Sequence, residues 1–324
     1  MNIYDIAGEA GVSIATVSRV INGKRAVSAA TRQKVEEVLT RHHYVPDQIA
    51  RGLVTKSTRT IAVMTIDIRD IYYANVAYTI EQELSHRSYS AILCNTGNDI
   101  QSKMEYIRNV LRQKVEAIVF VGSVFRDGVM DEAIRNVAAR IPVVMVNGFV
   151  EADNIYSVIC DDRLGVVRAV EYLAQKGRRR IAYLKSADTF SARSKAHGFC
   201  QAVKSPRERM IEVERSIRGG YTGAGKFLQW DALPDAVICD DDITAVGVLK
   251  CLSARGVAVP GDISVVGFNN SLLAECCTPS LTSVDSLMVE MGRTAVATLL
   301  EVLAGKKPQP RITFAPDIRL RESS

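Results

Sequence analysis

From residue 60 onward, short runs rich in Val and Ile alternate with connections of mostly helical length, and no other feature of the chain restricts its fold as much. The runs fall at 60–66, 90–95, 117–122, 142–147, 157–160, 180–185, 236–239, 263–268 and 281–284. Strands joined by a dozen or more residues cannot be tight hairpins. They pair in parallel through right-handed crossovers, and the connecting helices cover the sheet. The expectation is an α/β body of parallel sheets. Ligand sites in such sheets lie beyond the carboxyl ends of the strands. Ser123, Asn147, Asp241, Asp242, Asn269 and Asn270 close successive runs there. One such group is usually a helix cap, whereas several together suggest a convergent polar pocket; both readings stand at this point.

The first sixty residues follow a different rule. Ile3, Ile6, Ala7 and Ala10 form one helical stripe, and Gly11 ends it. Ser13 suits the N-cap of a second helix over 14–22. At 100° per residue, Val17, Val20 and Ile21 fall on one side, and Ile14, Ala15, Ser18, Arg19 and Asn22 on the other. Ser28 then caps a third helix with Val35, Val38 and Leu39 inward. Helix, short turn and second helix with a small, polar and cationic outer face is the helix-turn-helix pattern. A plain three-helix bundle with a solvated face is the alternative. Charge favours the first. Residues 1–59 hold nine Lys and Arg against five Asp and Glu, a surplus of +4 out of the total of +5. A basic module on a neutral body points to a polyanionic partner for the module.

Three segments carry a specific resemblance: Tyr4-Asp5-Ile6-Ala7, the run 12–23 from Val12 to Gly23, and the run 44–53 from Tyr44 to Leu53. Together they resemble the lactose/galactose-repressor family of transcriptional regulators, over the whole chain and in order. The resemblance implies a headpiece at 1–46, a hinge helix and linker at 47–59, and a two-lobed, periplasmic-binding-protein-like body at 60–324. Lobe one is expected at about 60–156 and 287–311, lobe two at about 157–286 and 312–324. It implies that Ile14, Ala15 and Arg19 meet base edges, while Tyr4, Ser13, Thr16, Ser18 and Asn22 hold phosphates. Arginine can pair bidentately with guanine, and Ile and Ala can touch a thymine methyl. The segment 47–55 resembles the family's hinge helix, with Ala50 and Arg51 beside a wedge, Leu53. An inserted apolar side chain kinks DNA from the minor groove. The implied partners are palindromic double-stranded DNA and a second copy of the chain, in a cytoplasmic homodimer.

The same resemblance places a small effector between the lobes. Tyr72 and Tyr73 line the cleft or simply pack. The family's cleft arginine is replaced by Lys195, with Arg193 two residues earlier. Its usual aspartate is Asn269, and a cleft aromatic is replaced by Gly220, with Tyr221 beside it. Exchange of a carboxylate for an amide beside two cations tilts the ligand towards a sugar acid or sugar phosphate. Asp241 and Asp242 oppose that tilt, a neutral sugar remains open, and a protein co-repressor is a further possibility.

An enzyme is the rival class. Asp240-Asp241-Asp242-Ile243-Thr244 satisfies D-x-D-x-T, the nucleophile loop of haloacid-dehalogenase phosphatases, with Asp240 and Asp242 in the catalytic places. That loop belongs on the first strand of its domain, and here it follows a late one. The glycines of 219–225 lack the Lys-Ser/Thr ending of a phosphate loop. Seven cysteines without C-x-x-C spacing and four scattered histidines predict no metal site and no cofactor. The absence of a leader and of any membrane-length apolar run completes the expectation of a cytoplasmic, non-enzymatic DNA-binding repressor.

Overall fold

The computed structural model describes residues 2–21, 27–42, 57–204 and 206–324. The chain forms two units, Met1–Arg59 and Thr60–Ser324. Asn22 and the expected hinge segment 47–55, with Ala50, Arg51 and Leu53, lie outside the described residues.

The first unit holds α1 (Ile3–Ala10), α2 (Ile14–Ile21) and α3 (Ala29–Arg41). Asn2 and Asp5 close a capping box: Asn2 Oδ1 accepts from the Tyr4 amide at 2.8 Å, and Asp5 accepts from the Asn2 amide at 2.8 Å. Gly11 ends α1 at φ 66°, a left-handed turn that glycine adopts without strain. Ser13 and Ser28 cap the next two helices, accepting from the Thr16 and Thr31 amides at 3.2 Å each. Ile6, Ala7, Val17, Val20, Val35 and Val38 form the buried core. The expected inner face of α2 is therefore the one that packs.

In the second unit, β1 (Thr60–Thr65), β2 (Ser90–Asn95), β3 (Ala117–Val121), β4 (Val143–Val146), β5 (Ile155–Cys160) and β11 (Arg311–Phe314) make one sheet. Its order is β11-β5-β4-β3-β1-β2, parallel throughout. Alternate residues serve alternate faces. Ile61, Val63, Val119 and Val144 pack under α4 (Ile71–Ser85) and α12 (Met288–Leu303). Ala62, Met64, Ile118 and Phe120 pack under α5 (Ile100–Arg112) and α6 (Gly128–Ala138). Each fully buried Val or Ile contributes about 1.5–3 kcal/mol.

The other sheet comprises β6 (Ile181–Lys185), β7 (Met210–Glu212), β8 (Ala236–Cys239), β9 (Ser264–Phe268), β10 (Thr282–Asp285) and β12 (Asp317–Arg319). Its order is β12-β10-β9-β8-β6-β7, with only β12 antiparallel. One face meets α9 (Ile217–Phe227) and α10 (Asp242–Ala254), the other α7 (Asp162–Gln175) and α8 (Phe190–Ala202). A short α11 (Leu272–Cys276) follows β9. No helix among the described residues is long and apolar enough to cross a membrane.

The chain changes sheets after β5, after β10 and between β11 and β12. The lobe boundaries therefore differ from the expected ones. Residues 157–160 and 312–314 belong to the first sheet, because Val158 lies opposite both Val146 and Ile312. Pairing on both sides to Val158, and with β11 alone to Cys160, holds β5 in that sheet. The edge strands β7, β11 and β12 have no counterpart in the predicted runs. They are three or four residues long, exposed or half-exposed at all positions but Ile211, and lack the Val-Ile density of the central strands.

Two details fix the second lobe. Gly220 on α9 faces Gly247 on α10 so closely that a Cβ on Gly220 would lie 1.9 Å from the Thr244 carbonyl oxygen. The Asp242 carboxyl, at the start of α10, accepts from the Ser271 amide at 2.7 Å, the Ser271 hydroxyl at 2.8 Å and the Ser283 hydroxyl at 2.6 Å. Burial pushes its pKa up to about 6, although these three donors pull the other way.

Gly220→Ala should cost about 3 kcal/mol, because backbone rather than a flexible tip must move. Gly225→Ala should stay within about 0.5 kcal/mol, since its Cβ would meet only the tip of Arg255, at 3.4 Å. Urea unfolding followed by the single tryptophan, Trp230, which packs on Phe227 in this lobe, reads both. The Asp242 carboxyl predicts a pH effect of definite sign. A raised folded pKa means that the folded chain holds the extra proton between about 4 and 6. Wild type should therefore gain stability over Asp242→Asn as pH falls through that window, by up to about 3 kcal/mol. A constant difference between pH 7 and pH 4 would contradict this.

Candidate functional site

On the first unit, burial of Val17 and Val20 turns the opposite arc of α2 outward. Ile14 (39% exposed), Ala15 and Arg19 lie exposed on that arc, and Ser13 is exposed at its start. Thr16 and Ser18 are half-buried beside them, and Tyr4 is exposed on α1. Ser13 and Thr16 share a hydroxyl contact at 2.9 Å. Among the described residues, no carboxylate pairs with Arg19 at salt-bridge distance. The surface thus offers one cation, two small apolar side chains and several hydroxyls around a helix N-terminus. That is the chemistry for guanine, thymine methyls and phosphate oxygens.

On the second unit, a cavity of about 200 Å³ opens between the carboxyl ends of the two sheets. Tyr72, Tyr73, Ser123 and Asn147 line it from the first lobe, and Lys195, Asp241 and Asn269 from the second. The two tyrosine rings meet edge to face with centroids 5.4 Å apart, and burial pushes both hydroxyl pKa values up. The Tyr72 hydroxyl is buried without a well-formed hydrogen bond, and the Asn147 side chain is its polar neighbour. A buried, incompletely satisfied hydroxyl on a cavity wall is a standing preference for a polar ligand atom. Lys195 donates to the Asp240 carbonyl at 2.8 Å and stands 3.8 Å from the Phe268 ring centroid.

Four expected residues take other places. Arg193 does not line the cavity: its side chain is exposed and bonds Asp188 through the carbonyl at 3.0 Å and the carboxylate at 3.3 Å. Two residues along a helix turn a side chain by about 200°, so Arg193 points away when Lys195 points in. Tyr221 is likewise exposed and lines no cavity described. Gly220 leaves no hole for it to fill, because the α10 backbone occupies that space. Asp242 misses the inner cavity and borders an adjoining one of about 450 Å³, with its oxygens already held by Ser271 and Ser283. Asn270 is bound to Asp285 at 3.1 Å and to Arg321 at 2.8 Å, away from the cavity.

The residues 240–242 are three consecutive carboxylates with three different partners. Asp240 accepts from the amide (2.8 Å) and hydroxyl of Ser186, Asp241 accepts from the Thr244 amide (2.9 Å) and from Arg215, and Asp242 binds the serines already named. Burial, then the neighbouring Asp241, raise Asp240 to a pKa of about 6. In the phosphatase reading Asp240 would attack phosphorus; here both of its oxygens are bound to Ser186. Arg215, Ser186 and Ser191 also line the cavity and were not among the expected residues. Arg215 follows the unanticipated edge strand β7 by three residues, so the strand-end signal that flags such positions was missing.

Residues 2–47 match the family described as bacterial regulatory proteins, lacI family, and residues 170–324 match the periplasmic binding protein-like domain. An HTH-type transcriptional regulator of Lachnoclostridium phytofermentans is 35% identical, over 100% of this chain and 99% of that protein. The solved Lac repressor bound to ONPG in the repressed state superposes with a TM-score of 0.91 at 25% identity, covering 100% of this chain and 99% of that one. The transcriptional regulator CelR in complex with cellobiose does so with a TM-score of 0.73 at 26% identity, covering 100% of both chains. A lacI-type headpiece, a two-lobed body and end-to-end similarity lead to one conclusion: this chain belongs to the lacI family of bacterial regulatory proteins, and is a DNA-binding transcriptional regulator rather than an enzyme.

Proposed function

We propose that the chain is a cytoplasmic repressor that binds a palindromic operator as a homodimer and is switched by a small polar metabolite, a sugar or sugar derivative. The headpiece (1–46) presents Ile14, Ala15 and Arg19 to base edges, while Tyr4, Ser13, Thr16, Ser18 and Asn22 hold phosphates. The hinge segment (47–59) brings Ala50, Arg51 and Leu53 to the minor groove, with Leu53 between base steps. The body (60–324) takes the effector between its lobes. The observation that carries the ligand reading is the buried, incompletely satisfied Tyr72 hydroxyl in a cavity with walls from both lobes. A ligand touching both walls binds the closed cleft better than the open one, and that difference in affinity is what shifts a two-state equilibrium. The Lac repressor structure carries ONPG and the CelR structure cellobiose, which supports a small ligand of sugar type.

The test of this reading is a thermal-shift screen of sugars, sugar acids and sugar phosphates on the full chain, with and without operator DNA. At least one compound should raise the unfolding temperature and change operator affinity. Tyr72→Phe should lower affinity for that compound about tenfold while changing unfolding by less than about 1.5 kcal/mol, because the hydroxyl makes no well-formed hydrogen bond within the chain. Equal affinities would remove Tyr72 from the site. On the DNA side, Arg19→Ala should cost about 1–3 kcal/mol per half-site and relax preference at one base pair. Gel-shift titrations on matched and singly changed operators measure it. An equal loss on every sequence would reassign Arg19 to the phosphates.

A further inference from the structure

One guanidinium is shared by two helix caps from opposite lobes. Asp70 caps α4 through Oδ1, which accepts from the Tyr72 amide at 2.9 Å. Asp241 caps α10 through its own Oδ1, which accepts from the Thr244 amide at 2.9 Å. Each carboxylate then has its second oxygen to offer, and both offer it to Arg215: Asp70 Oδ2 accepts from one terminal nitrogen and Asp241 Oδ2 from Nε. Asp70 stands at the end of the first sheet, whereas Arg215 and Asp241 stand at the end of the second. Lobe separation must break this arrangement.

We propose that the Asp70–Arg215–Asp241 bridge is a latch that holds the cleft closed in the ligand-free chain. Burial decides where it opens. The Asp241 side chain is 4% exposed and that of Asp70 20%. An uncompensated charge costs most at the more buried site, so Arg215 stays with Asp241 and parts from Asp70. Other contacts also join these lobes, among them the Asn147 side chain beside the buried Asp162 carboxyl. The Ser191 amide donates to the Ser123 hydroxyl at 3.2 Å, and the Arg126 guanidinium lies 4.9 Å from the Phe190 ring centroid. Arg215, Tyr72, Asp241 and Asn269 also line both the inner and the adjoining cavity, so the latch is part of the wall between them. Its consequence for effector entry rests on the proposed ligand reading; its effect on lobe geometry does not.

The test is a distance measurement on the ligand-free, full-length chain. Keto amino acids are introduced at Val129 and Leu233, one exposed site per lobe, and spin-labelled. Mixing with excess unlabelled chain leaves one labelled copy per dimer for pulsed electron resonance. Wild type should give one narrow distance. Arg215→Gln and Asp70→Asn should each raise the longer-distance population about threefold to tenfold. The double variant should go no further than either, since all three lack the same bridge. Asparagine still caps a helix, so Asp70→Asn removes the charge without removing the cap of α4 and remains informative if Arg215→Gln folds poorly. Unchanged distances in Asp70→Asn would overturn the latch. A failed ligand reading shows differently, as altered distances in variants and wild type that bind no compound of the screen.

Discussion

A parallel sheet has to be covered on both faces, and most of the body follows from that requirement. Covering it takes helical crossovers, and each crossover starts a helix where a strand has just ended. Helix N-termini therefore collect along one edge of each sheet, together with the caps their unpaired amides demand. Asp70, Asp127, Asp161 and Asp241 all hold such positions. With the two sheets facing each other across a cleft, caps from both lobes can serve one space. The choice between cap and pocket thus dissolves at Asp241, which caps α10 with one oxygen and lines the cavity beside it.

The readability of each element in the sequence tracks the density of physical signal in it. Nine strands carry enough apolar residues to declare themselves, and in the central ones, such as β3 and β9, burial on both faces leaves little other choice. Arg-Ile-Thr-Phe at 311–314 and Asp-Ile-Arg at 317–319 do not, since edge strands exclude less water and are shorter. Loss of β7 had the further effect of hiding Arg215, whose importance comes from pairing with Asp70, 145 residues away. A contact at that separation leaves no local pattern. The headpiece is the opposite case: its core, caps and outer face are all set by spacings of three or four residues.

The cleft residues show how resemblance and geometry divide the work. Tyr72, Tyr73, Ser123, Asn147, Lys195, Asp241 and Asn269 converge because the fold brings strand ends together. Arg193 and Tyr221 do not, because helical phase overrides proximity in sequence. The cations of the site are accordingly Lys195 and Arg215. Lys195 is bound to a backbone carbonyl and Arg215 to two carboxylates. The charges within the cleft are thus largely compensated by the chain itself, and Arg193, held by Asp188, adds no cation there for an anionic ligand.

The close approach at Gly220 and Gly247 has a mechanical meaning. Helices in backbone contact, with no side chains between them to slide or repack, behave as one solid piece. Arg215 sits at one end of that piece, two residues before α9 begins. The 13 residues of α10 make an arm of about 20 Å. A rotation of about 5° at the Arg215 end then displaces the far end by about 2 Å, the scale of helix shifts that carry allosteric signals. By this geometry a small side-chain event at the Arg215 end would be magnified into movement at the far end of α10.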